Sequence, residues 1–473
     1  MDQLLLAVEP AQLLPARLQM AFTLSFHIIL VPFGVALPAI MLVANYRGLR
    51  HADPVALTLA RRWSHAAALT FAVGAVSGTV LSFEMGLLWP GLTGRYGDVF
   101  GLPFQIEGIA FFLEAILVAI YIYGWRRLRP WAHFWLGLPI PFVALVGAFS
   151  IISANAWMNT PAGFTLGPDG EPTEVDPVAA IFNEALPYQL GHFLLAAYMA
   201  AGFTVASIYV VGWLRGRRDR YHRLGILIPF TVAALATPVQ IAVGDTTARQ
   251  IAQDQPVKFA AAEVVTDSGP DQPEILFGRY HPETNTVSGG IRIPGLNSIL
   301  TGFSRDTYVQ GLDSVPPADR PSNVTLVHWA FDVMVGIGFL LLGLVAWYAV
   351  AYWRRRRVPR LRLWLWLAAA AGVLSHVAVI AGWIVTEVGR QPWIVYEVER
   401  TAGAVTSADG VWASLTVVVV LYALLGIATV TVLRAMSRRW RREGLADWSV
   451  PYGPRPAGPE PREPAASGPG SPG

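Results

Sequence analysis

Five stretches of this 473-residue chain place a histidine, glutamate or methionine among almost wholly apolar neighbours. They carry His27, Glu107 with Glu114, His192, Met334 and Glu387. Such groups are expensive inside a bilayer, so where they stand in spanning segments they are functional candidates by default. Histidine and methionine are also the usual axial ligands of haem iron. The set points to an integral membrane protein that carries haem.

Each position has its own chemistry. His27, in SFHIILVPFG, lies about ten residues into the first apolar run, in the outer half of a bilayer at about 1.5 Å of rise per residue. It fits either a metal ligand or a histidine bonded to a neighbouring helix. His192 (YQLGHFLL) opens the fifth run and Met334 (WAFDVMVGIG) lies in the seventh, both towards the outer side. Together they suit the two axial positions of a low-spin haem b, although methionine in an apolar helix is more often packing. Glu107 and Glu114 are seven residues apart, close to two turns, so they share one helical face and would exchange protons rather than hold fixed charge. Glu387 closes the eighth run and precedes Gly389-Arg390-Gln391-Pro392-Trp393, where Pro392 ends the helix. Arg390 there has two candidate partners, Glu387 or an anionic ligand such as a haem propionate. His376, Asp332 and Glu84 rank lower, and His65, His133 and His328 read as interfacial.

The elements that must position these groups follow from composition. The chain is 54% hydrophobic and 14% charged, where soluble proteins average about 25% charged. A spanning helix needs about 20 mostly apolar residues. Nine such stretches are expected, at 18–44, 63–88, 104–125, 132–155, 187–213, 224–243, 323–353, 363–388 and 410–434. The fold class is an all-α integral membrane protein.

The arginines set its orientation. Of the 35 cationic residues, 23 lie in every second connection: Arg47, Arg50, Arg61, Arg62; Arg126, Arg127, Arg129; Arg215, Arg217, Arg218, Arg220, Arg223; Arg354 to Arg357, Arg360, Arg362; and Arg434, Arg438, Arg439, Arg441, Arg442. The connections between are neutral or acidic, as at Asp169, Glu171, Glu174 and Asp176. This places the N-terminus outside and the C-terminus in the cytoplasm.

The domains expected are helices one to six over 1–243, a polar outer loop over 244–322, helices seven to nine over 323–442, and a Pro/Gly/Ser-rich disordered cytoplasmic tail over 443–473. The first sixteen residues have no basic start and no small-residue cleavage site, so the first span is expected to be retained. With no cysteine, disulfides, thiolate-bound iron–sulfur clusters and a cysteine nucleophile are excluded within the chain. No phosphate-binding glycine loop, nucleic-acid signature or copper ligand cluster is evident. A proton-coupled transporter also fits multiple spans with buried acids, but it finds no internal repeat and leaves the His/Met pair unexplained.

At these residues the chain resembles subunit I of the cytochrome bd family of terminal quinol oxidases, over about residues 10–435. The GRQPW string at 389–393 and the block FGLPFQIEGIAFFLEA at 100–115 carry the likeness, with the surroundings of His27, His192 and Met334 in matching order. The resemblance implies three haems. His192 and Met334 match the ligands of low-spin haem b. His27 and Glu387 match the ligands of two high-spin haems, with His27 placed on haem d (or a third haem b) and Glu387 on high-spin haem b, or the reverse. Arg390 and Trp393 fall beside them, and Glu107 and Glu114 match acids tied to proton delivery.

The outer loop resembles a quinol-binding loop of the short type, with Lys258, the chain's only lysine, and Glu263 in the matching segment QPVKFAAAEV. The resemblance further implies quinol oxidation at the outer face, reduction of O2 to water with cytoplasmic protons, and a proton-motive force made without pumping. It implies a location in the bacterial cytoplasmic (inner) membrane, with a second membrane subunit and possibly a small single-helix one as partners, and no nucleic acid. A related haem oxidase with a non-quinol electron donor is the alternative. Two departures mark a divergent branch. The second span ends SFEMGLLWP where the familiar pattern is EFQFGTNW-like, and Asp332 stands where well-known members have arginine. An acid there should lower the potential of a nearby haem.

Overall fold

The computed structural model describes residues 10–355, 358, 359, 361–442 and 452. Arg356, Arg357 and Arg360 of the arginine pattern, and the tail apart from Tyr452, lie outside the described residues.

Among the described residues, nine helical segments are long and apolar enough to span a membrane. They are α1 (Leu13–Arg50), α2 (Pro54–Leu88), α3 (Pro90–Gly124), the α4–α5 pair (Pro130–Gly137 and Pro139–Asn159), α7 (Leu186–Leu214), α8 (Arg220–Asp254), α11 (Val324–Arg355), α12 (Arg362–Gly389) and α14 (Val411–Arg442). All nine expected spans are present, and most helices overrun them because charged turns continue the helix beyond the apolar part. Proline at the first helical position starts α2, α3, α4 and α5, where its missing N–H costs nothing. Asp53 caps α2 by accepting from the Val55 and Ala56 N–H groups, and Asp219 caps α8 through the His222 N–H. Asp53 is buried and also accepts from Arg220 at 2.8 Å, with Arg47 3.5 Å away. The cap thereby ties the α1–α2 connection to the start of α8 on the arginine-rich side.

α7 packs chiefly on α8, and α1 on α2. A core of Ile40, Met41, Trp63, Phe203, Phe230 and Trp364 knits α1, α2, α7, α8 and α12. Close approach needs small residues. A Cβ on Gly202 would stand 2.7 Å from the Pro229 carbonyl oxygen and 2.9 Å from the Ala233 Cβ. α14 lies on α1 and α2 and leaves Val417, Leu424 and Ile427 exposed.

Short elements cover the end of the bundle opposite the arginine-rich connections, here called the loop side. Residues 160–185 hold the β1–β2 hairpin (Thr165–Leu166, Pro172–Thr173) and α6 (Pro177–Ile181). The largest connection begins later than the sequence pattern suggests, because α8 runs on to Asp254. It is ordered into α9 (Pro256–Glu263), β3 (Glu274–Leu276), β4 (Arg279–His281), β5 (Thr286–Ser288), β6 (Ile291–Ile293) and α10 (Leu296–Gly302). β3 pairs with β6 and β4 with β5, both antiparallel. After α12 come β7 (Trp393–Val395), β8 (Glu399–Arg400) and α13 (Thr401–Ala404).

Three expectations change. His133 and His328 are fully buried rather than interfacial. His328 lies 2.7 Å through Nδ1 from the Ala262 carbonyl and accepts at Nε2 from the Gly278 N–H, so two bonds pay for its burial. His133 likewise sits 2.7 Å from the Tyr121 carbonyl. Within the tail, Tyr452 is packed: its hydroxyl accepts from Asn45 Nδ2 at 3.0 Å and lies 3.0 Å from His133 Nδ1.

The α7–α8 contact yields a test. Gly202→Ala forces a methyl against backbone, so we expect a loss of about 1–3 kcal/mol, read as a lowered unfolding temperature of the purified complex. Gly216→Ala, in a turn with open space around it but a φ of +89°, should act only through local backbone strain.

Candidate functional site

α1, α2, α3, α5 and α12 wall a cavity of about 990 Å³. His27, Glu107, Glu114, Glu387 and Arg390 all line it. Three helices distant in sequence thus bring five of the expected residues to one space. Gly34 and Gly108 also line it, with nothing within 4 Å of where a Cβ would stand, so they leave the walls flat.

Hydrogen bonding fixes how His27 presents itself. Its Nδ1 is 2.9 Å from the Ser77 hydroxyl, which itself donates to the Gly74 carbonyl at 3.0 Å. With the Ser77 hydroxyl so engaged, an imidazole that donates through Nδ1 leaves the Nε2 lone pair free as a ligand. Gly78 makes room for the ring, since a Cβ there would lie 3.1 Å from His27 Cε1.

Glu387 is held at both oxygens. Oε1 accepts from Asn155 Nδ2 at 2.6 Å and Oε2 from Arg390 Nη2 at 2.6 Å. Arg390 is only 2% exposed, yet its Nε and Nη1 have no partner. A buried guanidinium with two idle donors facing a cavity fits an anionic group of a bound cofactor. The donor set of imidazole, carboxylates and guanidinium around a large flat-walled space fits haem.

The hydrogen bonds continue beyond Glu387. Asn159 Nδ2 donates to Asn155 Oδ1 at 3.1 Å, and Asn159 Oδ1 accepts from Lys258 Nζ at 2.5 Å. An unbroken chain therefore runs Lys258–Asn159–Asn155–Glu387–Arg390, from α9 of the loop into the cavity. Lys258 is buried, and burial, then the nearby Arg390 charge, push its ammonium well below the usual lysine range, with Glu387 opposing. Asn155 and Asn159 escaped the sequence reading. Two amides four residues apart at the end of an apolar run were the available signal.

Glu263, at the end of α9, faces Glu274 of β3 and Asn297 of α10. Burial and the Glu274 charge push its carboxyl well up, and burial raises Glu274 too. Asp332, expected beside Met334, accepts the Phe277 N–H at 2.6 Å and so pins the turn between β3 and β4 to α11. Trp393 lies outside the large cavity, in a small recess of about 170 Å³ with Val257, Tyr396 and Glu397.

His192 and Met334 are near the loop-side ends of their helices but outside the large cavity's lining. Gln240 Nε2 is 3.2 Å from both His192 ring nitrogens, and Gly244 leaves the ring free of a neighbouring Cβ. Gly382 does the same for Met334, whose Sδ would stand 3.0 Å from a Cβ there. Gln240 Oε1 is buried without a partner.

The family model for cytochrome bd terminal oxidase subunit I matches residues 15–440. The chain belongs to that family. A Bacillus subtilis (strain 168) protein, provisionally named cytochrome bd menaquinol oxidase subunit I, is 34% identical over 88% of this chain and 95% of its own. The cytochrome bd-II ubiquinol oxidase subunit 1 of Escherichia coli (strain K12) is 26% identical over 89% and 96%. The structure of bd oxidase from Geobacillus thermodenitrificans superposes with a TM-score of 0.85 and 36% identity, covering 91% of this chain and 99% of that one. This bd-family chain is thus a multi-pass protein of the bacterial cytoplasmic (inner) membrane, and family membership decides against the transporter that the spans alone allowed.

Asn155→Leu tests the Glu387 clamp. A hydrogen bond to a charged group is worth about 1.5–3 kcal/mol, so oxygen consumption by the purified complex should fall about 10- to 100-fold. Its unfolding temperature should fall by only a few degrees, with the complex still folded.

Proposed function

We propose that the large cavity is the oxygen-reducing site of a terminal quinol oxidase and that the ordered loop over α9 is where quinol docks. The observation that carries this is one cavity lined by a histidine with a free Nε2, a doubly held glutamate and an arginine with two idle donors, in a chain matched along its length to bd subunit I. Oxidase activity on quinol is the family's function. As a subunit I, the chain implies a subunit II partner, and the exposed apolar face of α14 or α3 offers it a flank. A further single-helix subunit remains an expectation from the resemblance.

In this reading His27 and Glu387 hold the two high-spin haems of the cavity, and His192 with Met334 holds the low-spin haem b. Bound haem supplies the electron carriers and the iron that binds O2. The chain's own residues do the rest. Ser77 orients His27, Asn155 and Arg390 fix Glu387, and Arg390 keeps two donors for an anionic substituent. Glu107 and Glu114, on one face of α3, carry protons along the cavity wall from the arginine-rich, cytoplasmic side. Lys258 and Glu263 receive the quinol, whose protons leave on the outer side. Charge then crosses the membrane without a pump, because quinol protons are released outside and the protons for water are taken from inside. The N-terminus is outside and the C-terminus inside on the arginine distribution.

A dithionite-reduced minus oxidised absorption spectrum of the purified complex tests the cofactor assignment. A low-spin haem b band with a far-red chlorin band is expected. Haem b bands alone would replace haem d by a third haem b, and no haem in a cofactor-replete preparation would overturn the reading. For the loop, Lys258→Ala should lower quinol oxidation at least tenfold with the spectrum unchanged. Full retained activity would assign the electrons to another donor or another entry point.

A further inference from the structure

Glu263 ends its helix facing a second carboxyl, and both are largely shielded from bulk water: the two residues are 6% and 7% exposed. Two carboxyls can hydrogen-bond to each other only if one carries the proton. Glu263 and Glu274 face each other at hydrogen-bonding range, an arrangement that a shared proton would satisfy. Asn297 Nδ2 donates to Glu274 Oε2 at 3.3 Å. Glu263 Oε2 and Asn297 Oδ1 are buried acceptors with no donor at all. An idle buried acceptor is costly unless something donates to it, and a hydroxyl is the group it wants.

We propose that Glu274 is a proton-relay residue: Glu263 Oε2 takes a proton from the quinol hydroxyl, and Glu274 takes it on and releases it at the loop surface. The inference rests on the quinol-docking reading above. The balance is simple. A quinol loses two electrons and two protons, and its electrons leave to the oxidant that the oxidase activity already uses. For each proton, the quinol O–H bond breaks and an O–H bond forms at Glu263. The proton then passes along the shared hydrogen bond to Glu274 and from there to water. The pair has one vacancy, so it resets between the first proton and the second.

The surroundings suit a relay and not an ion pair. Asp332 adds a like charge from α11, but its Oδ2 is committed to the Phe277 N–H. His328 lies 3.4 Å from Asp332, yet its Nε2 accepts from the Gly278 N–H, so it faces the cluster neutral. Lys258, on the same helix as Glu263, is turned to Asn159. None of these neighbours offers the pair a cation. Glu274 sits in β3, opposite Ile293 of β6, and β6 is exposed along its length. Glu274 thus sits on the strand that pairs with the exposed β6, whereas Glu263 ends the buried helix α9.

The test uses the complete oxidase with Glu274→Gln, Glu274→Asp and Glu263→Gln, and Glu283→Gln on the exposed turn as a control. For Glu274→Gln we expect kcat for quinol oxidation to fall at least tenfold, with KM within twofold and the haem spectrum unchanged. The acid limb of the kcat/KM profile should move to lower pH, because removing the neighbouring carboxyl removes a repulsion that makes Glu263 hold its proton. Glu274→Asp should regain part of kcat. A wild-type kcat and acid limb in Glu274→Gln would overturn the relay. So would a loss that comes with raised KM, lowered unfolding temperature and no rescue by aspartate. If Glu263→Gln is also fully active, the docking reading fails as well. If only Glu263→Gln is inactive, the relay alone fails.

Discussion

The architecture turns on how a carboxylate is kept in an apolar bundle. Glu387 lies at the end of α12 with an amide on one oxygen and a guanidinium on the other. An unpaired charge in such surroundings would cost several kcal/mol, and breaking a buried pair costs about 3–5 kcal/mol. Each partner is in turn committed. Asn155 is bonded to Asn159, which is bonded to Lys258, so a residue of the covering loop is part of what holds the cavity's glutamate. The loop is therefore no independent lid. Its position and that of Glu387 are set by one connected set of bonds, which gives a short physical path between the place where quinol is read to dock and the place where oxygen is read to react.

The two ends of the bundle solve the polar problem differently. On the arginine-rich side, charges meet water and are held by caps and exposed pairs, as with Asp53 between Arg220 and Arg47. On the loop side, polar groups are buried by chain that folds over them. His328 and Asp332 of α11 spend their acceptors on the backbone N–H groups of Gly278 and Phe277, and so nail the strand turns to the helix. Buried acceptors left without a donor include those of Glu263, Asn297 and Gln240, along with Gln19, Glu84 and Gln255. Where such an atom lies beside a residue proposed to meet quinol or haem, as at Glu263 and Gln240, a bound group would satisfy it.

The spans were legible in the sequence because a bilayer imposes length and apolarity on each one, and the arginine alternation counted them a second time. The lone polar residues were legible for the same reason: His27, Glu107, Glu114 and Glu387 cost too much to be accidents, and one cavity collects them. What the sequence hid was partnership. Ser77 and Asn155 look like ordinary small and amide residues until the helices are packed, because a hydrogen bond between α2 and α1, or between α5 and α12, leaves no mark in local spacing. Trp393 was grouped with Arg390 by adjacency, but after α12 stops at Gly389 the chain turns and the two side chains part.

Asp332 shows the same limit from the other side. Beside Met334 in the sequence, it reads as a charge acting on a haem. In the fold its Oδ2 is only 2.6 Å from a loop N–H, and the helix turns it towards the β3–β4 corner. A charge-assisted hydrogen bond from a backbone amide leaves the carboxylate's charge in place but fixes its position, so the residue also sets where the loop sits. Asp332 thus ties α11 to the loop corner, and through it to the geometry around Glu263 and Glu274.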